Sequence, residues 1–405
     1  MVYSLSAKDR KFYLDRALKA ADWFVNVQIS HPKNWFGDNK RFPYYYNLKV
    51  KQKVPGLNWT HGRALFVLAE AYKVTKQAAY AESANRGAEY IAALQVMDPH
   101  FKKAHGTIKE EIPAIWHSGI LDAAQAASGL IMLGQVTRNK EWLRRGTAFC
   151  ECMLRHYKQG VGLPNWICIY PKEEVRYNTE MPFLTICFAS EIPLWHQYRL
   201  TGDKRYLPPV LNAADIILKA QRADGGIDFV RPHKDGAKIV GANHHWGFGK
   251  GDDRYLLRND DGIVVVVLAA YLATKKKKYL DAMVSYMDWT VANEPHERPF
   301  NAFGVQANNV LDIGHVAGID RSAWVLDNLK KHCLDLQVIG SKDSNAEGGF
   351  RGEDEEGEGG VFGGKSLDYV VTRTTCYMAG TLFRLSGKGT GTGFSPFGLD
   401  KVKVV

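Results

Sequence analysis

Tyr13-Leu14-Asp15, Ala20-Ala21-Asp22 and Gln28 recur, position for position, as Tyr206-Leu207-Pro208, Ala213-Ala214-Asp215 and Gln221. The same fifteen-residue step runs from Tyr80 to Gln95, and Trp142 to Tyr157 keeps its length. Tyr279–Glu294 and Ser322–Gln337 are looser copies. Each copy spaces its apolar residues to form one helical face and leaves charges on the other, so six amphipathic helices are predicted. Before most of them stands a more apolar helix that ends in a threonine five residues upstream of the aromatic. The pairs are Thr75/Tyr80, Thr137/Trp142, Thr201/Tyr206 and Thr274/Tyr279. The apolar helices are predicted at 59–74, 118–136, 180–200, 260–273, 303–316 and 366–386. Gly304 and Gly314 weaken the fifth. Six polar and six apolar helices alternate at a period of roughly 60–70 residues, which predicts helical hairpins closed into a ring. The apolar set lines the inside, and the N-terminal helix packs beside the last inner one.

The connections are unequal. Turns from inner to outer helices are short, whereas the outer-to-inner loops 29–58, 96–117, 158–179, 222–259, 294–302 and 338–365 are mostly long. Loops above about 12–15 residues inside a compact domain are usually functional. In a closed ring they gather on one face, together with the N-termini of the inner helices, whose free N–H groups and partial positive charge suit anions. This repeat resembles the six-hairpin (α/α)6 toroid carbohydrate-active enzymes, among them uronic-acid hydrolases, polysaccharide lyases and N-acylglucosamine epimerases. The resemblance covers nearly the whole chain at the level of architecture. It implies an all-α fold, an (α/α)6 toroid, as a single domain over 1–405 with a flexible glycine-rich tail at 387–405.

Asn259-Asp260-Asp261-Gly262 heads the fourth apolar helix. Two adjacent carboxylates at the start of a buried helix are costly unless they act there. Helix capping explains them equally simply, with Asn259 or Asp260 as N-cap. Glycoside hydrolysis uses one protonated and one ionised carboxyl across the scissile bond. Sequence neighbours rarely face one bond, so a partner from another helix start is required: Glu180 or Asp368. Asp261 with Glu180 is the favoured acid/base pair. A second chemistry is open to His61, His117, His244 and His245 as general bases, with Arg63, Arg176, Arg254 or Arg373 holding a sugar carboxylate. A tyrosine or histidine base with such an arginine would serve β-elimination or epimerisation, and Tyr177 and Tyr369 are candidate substrate contacts. Trp59, Trp116 and Trp246 are candidate sugar platforms, since aromatic rings beside planar polar groups suit sugars. Each ring or imidazole could equally be structural. No metal-ligand spacing is present, and no cofactor is expected.

The composition narrows the field. A net charge of +10 favours an acidic partner, but no RNA-binding signature or basic helix accompanies it, so nucleic acid is disfavoured. There is no uninterrupted apolar run long enough for a membrane span. The beginning, with Lys8-Asp9-Arg10-Lys11, lacks an apolar signal core, which predicts a cytoplasmic protein or a secreted one whose leader is already removed. The six cysteines are read as reduced. Loop six carries the acidic run Glu353-Asp354-Glu355-Glu356-Gly357-Glu358, a solvated loop, a lid or a cation site. The sequence thus predicts hydrolysis of a uronic-acid-containing oligosaccharide, with a lyase, an epimerase or a non-catalytic sugar-binding ring as alternatives.

Overall fold

The threonine that ends an inner helix makes the turn that follows. Thr75, Thr137, Thr201 and Thr274 each donate their hydroxyl to the carbonyl four residues back, at 2.8, 2.6, 2.8 and 2.7 Å. Three of these hydroxyls also accept an N–H from two residues ahead: Gln77, Asp203 and Lys276. The residue between is left-handed, Lys76 at φ +62, Arg138 at +59, Gly202 at +72 and Lys275 at +57, which stops the helix and reverses the chain. Helical hairpins follow. In this computed structural model the described residues are 5–30, 40–110, 116–177, 190–227, 230–232, 238–240, 262–293, 301–352, 367–389 and 395–397.

Twelve α-helices are described. The inner set is α2 (Asn58–Thr75), α4 (Ile120–Thr137), α6 (Ile192–Thr201), α8 (Ile263–Thr274), α10 (Asn301–Ala317) and α12 (Thr372–Ser386). The outer set is α1 (Ala7–Val27), α3 (Ala78–Leu94), α5 (Lys140–His156), α7 (Leu207–Ala220), α9 (Lys277–Asn293) and α11 (Ser322–His332). Each inner helix packs on the next, and α12 packs on both α2 and α1, so the ring closes as the repeat predicts. Ile263 to Ala270 are all buried, as a helix apolar on every side requires. Gly304 does not break α10. A methyl group there would lie 2.5 Å from Tyr377 Cβ, so the glycine seats α10 against α12.

The repeated aromatic and glutamine are the rivets of the outer ring. Each aromatic donates to a polar side chain of the preceding outer helix: Tyr80 to Asp22 (2.7 Å), Trp142 to Asn85 (2.7 Å), Tyr206 to Glu151 (2.6 Å) and Tyr279 to Asp215 (3.0 Å). Each glutamine reaches forward to a backbone carbonyl of the next outer helix. Gln28 reaches Ser83, Gln95 reaches Arg145, Gln221 reaches Ala282, and Gln337 reaches Arg16, closing the circle from α11 to α1. Tyr157, standing where a glutamine would, donates to the Pro208 carbonyl instead. Buried amide groups must find partners, and here those partners fix the register of neighbouring hairpins.

The loops carry strands that the helical reading did not foresee. On one side β1 (Pro43–Asn47), β2 (Gln52–Pro55) and β8 (Tyr369–Val371) form a sheet in the order β2-β1-β8. On another, β3 (His117–Gly119), β4 (Trp166–Cys168) and β5 (Glu174–Arg176) pair antiparallel in chain order. β6 (Val230–Pro232) and β7 (Lys238–Val240) make a hairpin. Strands β3 and β8 run directly into α4 and α12, so each of the two three-stranded sheets stands at the head of an inner helix.

The opposite opening of the ring receives the tail. The Trp195 indole donates to the Pro396 carbonyl at 2.8 Å, Arg199 donates to the carbonyls of Pro396 and Phe397, and Phe397 meets the His315 ring at 5.1 Å. Residues 395–397 are therefore packed between α6 and α10. Above them, Arg384 and Asp312 form a two-pronged ion pair at 2.8 Å, both buried, with Asn308 accepting from the same guanidinium. Cys150, Cys152, Cys333 and Cys376 are buried free thiols; burial pushes Cys152 and Cys333 up to about 12. No described helix is long and apolar enough to cross a membrane.

Candidate active-site face

The heads of α2 and α4 stand side by side, with loop two between them. Asn58 donates its backbone N–H to the Glu110 carbonyl and its side-chain amide to that of Lys109. Leu57 N–H donates to the Thr60 hydroxyl. Loop two is thus pinned across the start of α2 and delivers Lys109 and Glu110 to the mouth of the ring. The Glu110 carboxylate lies 3.4 Å from His117 Nε2, with the two side chains 14% and 36% exposed. It also fills the space over Gly119, where a methyl group would stand 2.4 Å from Glu110 Oε1. Trp166 meets the His117 ring edge-on at 4.7 Å. A carboxylate, an imidazole and an indole therefore converge at the N-terminus of α4, where the helix dipole favours negative charge. Neither Glu110 nor Lys109 is among the residues singled out from the sequence.

The other described candidates separate into two groups. Trp116 is 49% exposed, beneath the Lys109 ammonium at 4.9 Å and beside Tyr170 at 5.8 Å. Trp59 is half-buried, edge-on to Tyr44, and Tyr369 packs on Tyr45 at 4.7 Å. These rings can meet a ligand. His61 cannot. It is fully buried, its Nδ1 hydrogen-bonds the Leu57 carbonyl (2.8 Å) and its Nε2 accepts Phe42 N–H (3.0 Å). Burial pushes that imidazole down to about 3, so it is a neutral structural group. Arg63 is 1% exposed, donates to Gln125 (2.8 Å) and stacks between Trp59 and Tyr377. It joins α2, α4 and α12 rather than reaching for a substrate. Arg373 is nearly buried as well, over Tyr377. Arg176 is exposed, but Glu174 engages its guanidinium at two points, 3.0 and 2.9 Å, so its charge is already matched. Tyr177 donates to the His156 carbonyl, under the Lys158 ammonium. Asp368 pairs with Lys49. Asp260, Asp261, Asn259, Glu180, His244, His245, Trp246 and Arg254 lie outside the described residues, as does the acidic run of loop six.

One further carboxyl stands out. Glu191, at the N-cap of α6, is buried, its Oε2 has no hydrogen-bond partner, and burial pushes it up to about 8. Its charge inside a predicted apolar helix was the available signal. Below its usual value of 4.5 the folded and unfolded chains both hold the proton. Between 4.5 and about 8 only the folded chain does, so stability falls as pH rises through that window and levels above it. Glu191→Gln stays neutral and is expected to stabilise the fold by about 4 kcal/mol at pH 8 and by almost nothing at pH 4. Thermal unfolding at the two pH values checks this; equal gains at both would refute it.

Among the described residues, no three His, Cys, Asp or Glu side chains converge as a metal site. A surface hollow of about 260 Å³ between α1 and α3 is lined by Lys19, Asp22, Tyr80 and Glu347, but these already pair with one another. The chemistry thus concentrates on the loop face. No family model matches the sequence, and no curated protein does. Solved structures do. An unsaturated glucuronyl hydrolase specific for heparin aligns over 93% of this chain and 97% of its own, with TM-score 0.65 and 12% identity. The α-1,6-mannanase GH76A of Salegentibacter sp. HEL1_6, as an inactive variant in complex with α-1,6-mannotriose, aligns over 93% and 99%, with TM-score 0.59 and 11% identity. The cellobiose 2-epimerase of Bacillus thermoamylovorans B4167 aligns over 92% and 98%, with TM-score 0.61 and 12% identity. The chain has the fold of the (α/α)6 toroid carbohydrate-active enzymes. In this toroid the likeness spans the complete ring on both sides of each comparison. At such identities it is a likeness of fold and transfers no residue role.

Proposed function

We propose that the toroid hydrolyses a glycosidic bond in a uronic-acid-containing oligosaccharide. The observation that carries the reading is the loop-face cluster of exposed indoles and phenols with Lys109, Glu110 and His117 among them. Rings accept the C–H faces of sugars, and fixed polar groups take the hydroxyls. Asp261 and Glu180 are the proposed acid/base pair, with Asp260 and Asn259 beside them. With Arg176 matched by Glu174, the uronate carboxylate falls to Arg254 and Lys109. His244, His245 and Trp246 complete the proposed substrate contacts from loop four.

A second reading is favoured by one contact. Glu110 beside His117 is an imidazole–carboxylate pair, which can draw a proton from carbon and so serve a lyase or an epimerase. A panel of acidic and neutral oligosaccharides separates the two. Hydrolysis raises reducing ends with no gain in near-ultraviolet absorbance; elimination raises both; epimerisation raises neither and changes the sugar recovered. Cleavage of neutral members alone would remove the uronate from the proposal.

A further inference from the structure

We propose that the outer face of the β3–β4–β5 sheet is a distal subsite for an extended glycan, so that the substrate is a chain rather than a disaccharide. This rests on the carbohydrate reading above and adds its length. The pairing His117↔Cys168, Gly119↔Trp166 and Trp166↔Arg176 puts His117, Trp166, Cys168, Glu174 and Arg176 on one side of the sheet. The alternate residues Ser118 and Ile167 are buried on the other, with Val175. The pairing continues past the strands, because Ile169 N–H donates to the Trp116 carbonyl at 2.9 Å. Alternation then returns Tyr170 to the side of Trp166, and the Trp116 ring, in register with Ser118, joins the ledge at its end by meeting the Tyr170 ring at 5.8 Å.

The result is a ledge with a fixed direction. Trp166 stands opposite Gly119, the N-cap of α4 at the mouth of the ring. Ile169 lies three residues further along, about 10 Å at strand rise, and Tyr170 comes next. A single sugar ring cannot reach from one end to the other. Trp116, Trp166 and Tyr170 are 49%, 38% and 66% exposed. Large rings left in water at one sheet mark a binding surface rather than a core. The groups between them are polar and planar: the Glu174–Arg176 pair and the His117–Glu110 pair. That alternation matches the faces and hydroxyls of successive sugars, whereas a protein partner would want a contiguous apolar patch. An enzyme that trims terminal residues from disaccharides has no use for a ledge leading away from its mouth.

Calorimetric binding of a disaccharide and a hexasaccharide, each taken from heparin and from α-1,6-mannan, tests the ledge. The wild type is expected to prefer the hexasaccharide. Tyr170→Ala and Trp116→Ala are each expected to reduce the hexasaccharide-to-disaccharide affinity ratio about tenfold, with unchanged unfolding temperature because both rings are exposed. A ratio that stays constant in both variants, or a wild type that binds the two lengths equally, overturns the ledge alone. A wild type that binds neither glycan at either length overturns the carbohydrate reading and the ledge with it.

Discussion

Asp261→Asn is expected to lower kcat about 10³-fold on any glycan the protein cleaves, with little change in KM and no loss of folded protein. Asparagine keeps the shape and hydrogen-bonding reach of the carboxyl but can neither give nor take the proton, so only the chemical step suffers. Asp261 immediately precedes Gly262, the N-cap of α8, whose backbone carbonyl already accepts Val266 N–H. If Asp261 only stabilised that helix end, the same change would remove a charge from the helix N-terminus, cost about 0.5 kcal/mol of stability and leave the rate alone. Activity and unfolding temperature measured on one sample therefore separate the two roles. Glu180→Gln should match it in depth, and each variant should remove one limb of a bell-shaped pH–rate profile. Should Asp261→Asn keep most of its rate while His117→Ala loses it, the chemistry belongs to the imidazole–carboxylate pair and the hydrolytic assignment fails.

The ring was readable because its determinants are local and repeated. A threonine back-bonded to its own helix, a left-handed residue, then an aromatic at a fixed step occur in four hairpins, and each piece makes the same bonds each time. Gln28 and Gln221 do identical work, so their spacing carried real geometric information. The short strands were not readable. Trp166-Ile167-Cys168 and Glu174-Val175-Arg176 are too brief to show a period of two, and their partner strand borders a helix head. Site residues were harder still, because a side chain's employment depends on what lies across the ring. His61 and His117 look alike in sequence, each a few residues from a tryptophan at a predicted helix start. One is sealed between two backbone groups, and the other faces water beside a glutamate. Glu110 acquires meaning only once Gly119 leaves room for its carboxylate.

Gly348→Ala is expected to destabilise the protein by about 3 kcal/mol. Gly348 sits at φ +90 in the loop that follows Gln337, and its carbonyl accepts that glutamine's amide at 2.8 Å. A methyl group there would lie 2.0 Å from the Lys19 carbonyl oxygen of α1, a backbone atom that cannot step aside. The clasp is what joins α11 to α1, through Gln337 to the Arg16 carbonyl and the Arg16 guanidinium back to Gln337 and Leu334. Displacing the loop therefore opens the ring where its two chain ends meet. Gly340 supplies the control. Its φ is +77, yet nothing lies within 4 Å of an added methyl, so Gly340→Ala bears only the backbone strain, about 1 kcal/mol. The difference between the two variants in denaturant unfolding isolates the close approach from the left-handed backbone. Gly106 and Gly225, at φ +95 and +97 and equally near Ala148 and Ser285, should each behave like Gly348. If all four substitutions cost the same, closure of the ring does not depend on these contacts, and the glutamine clasps are ornaments of a fold held by its core alone.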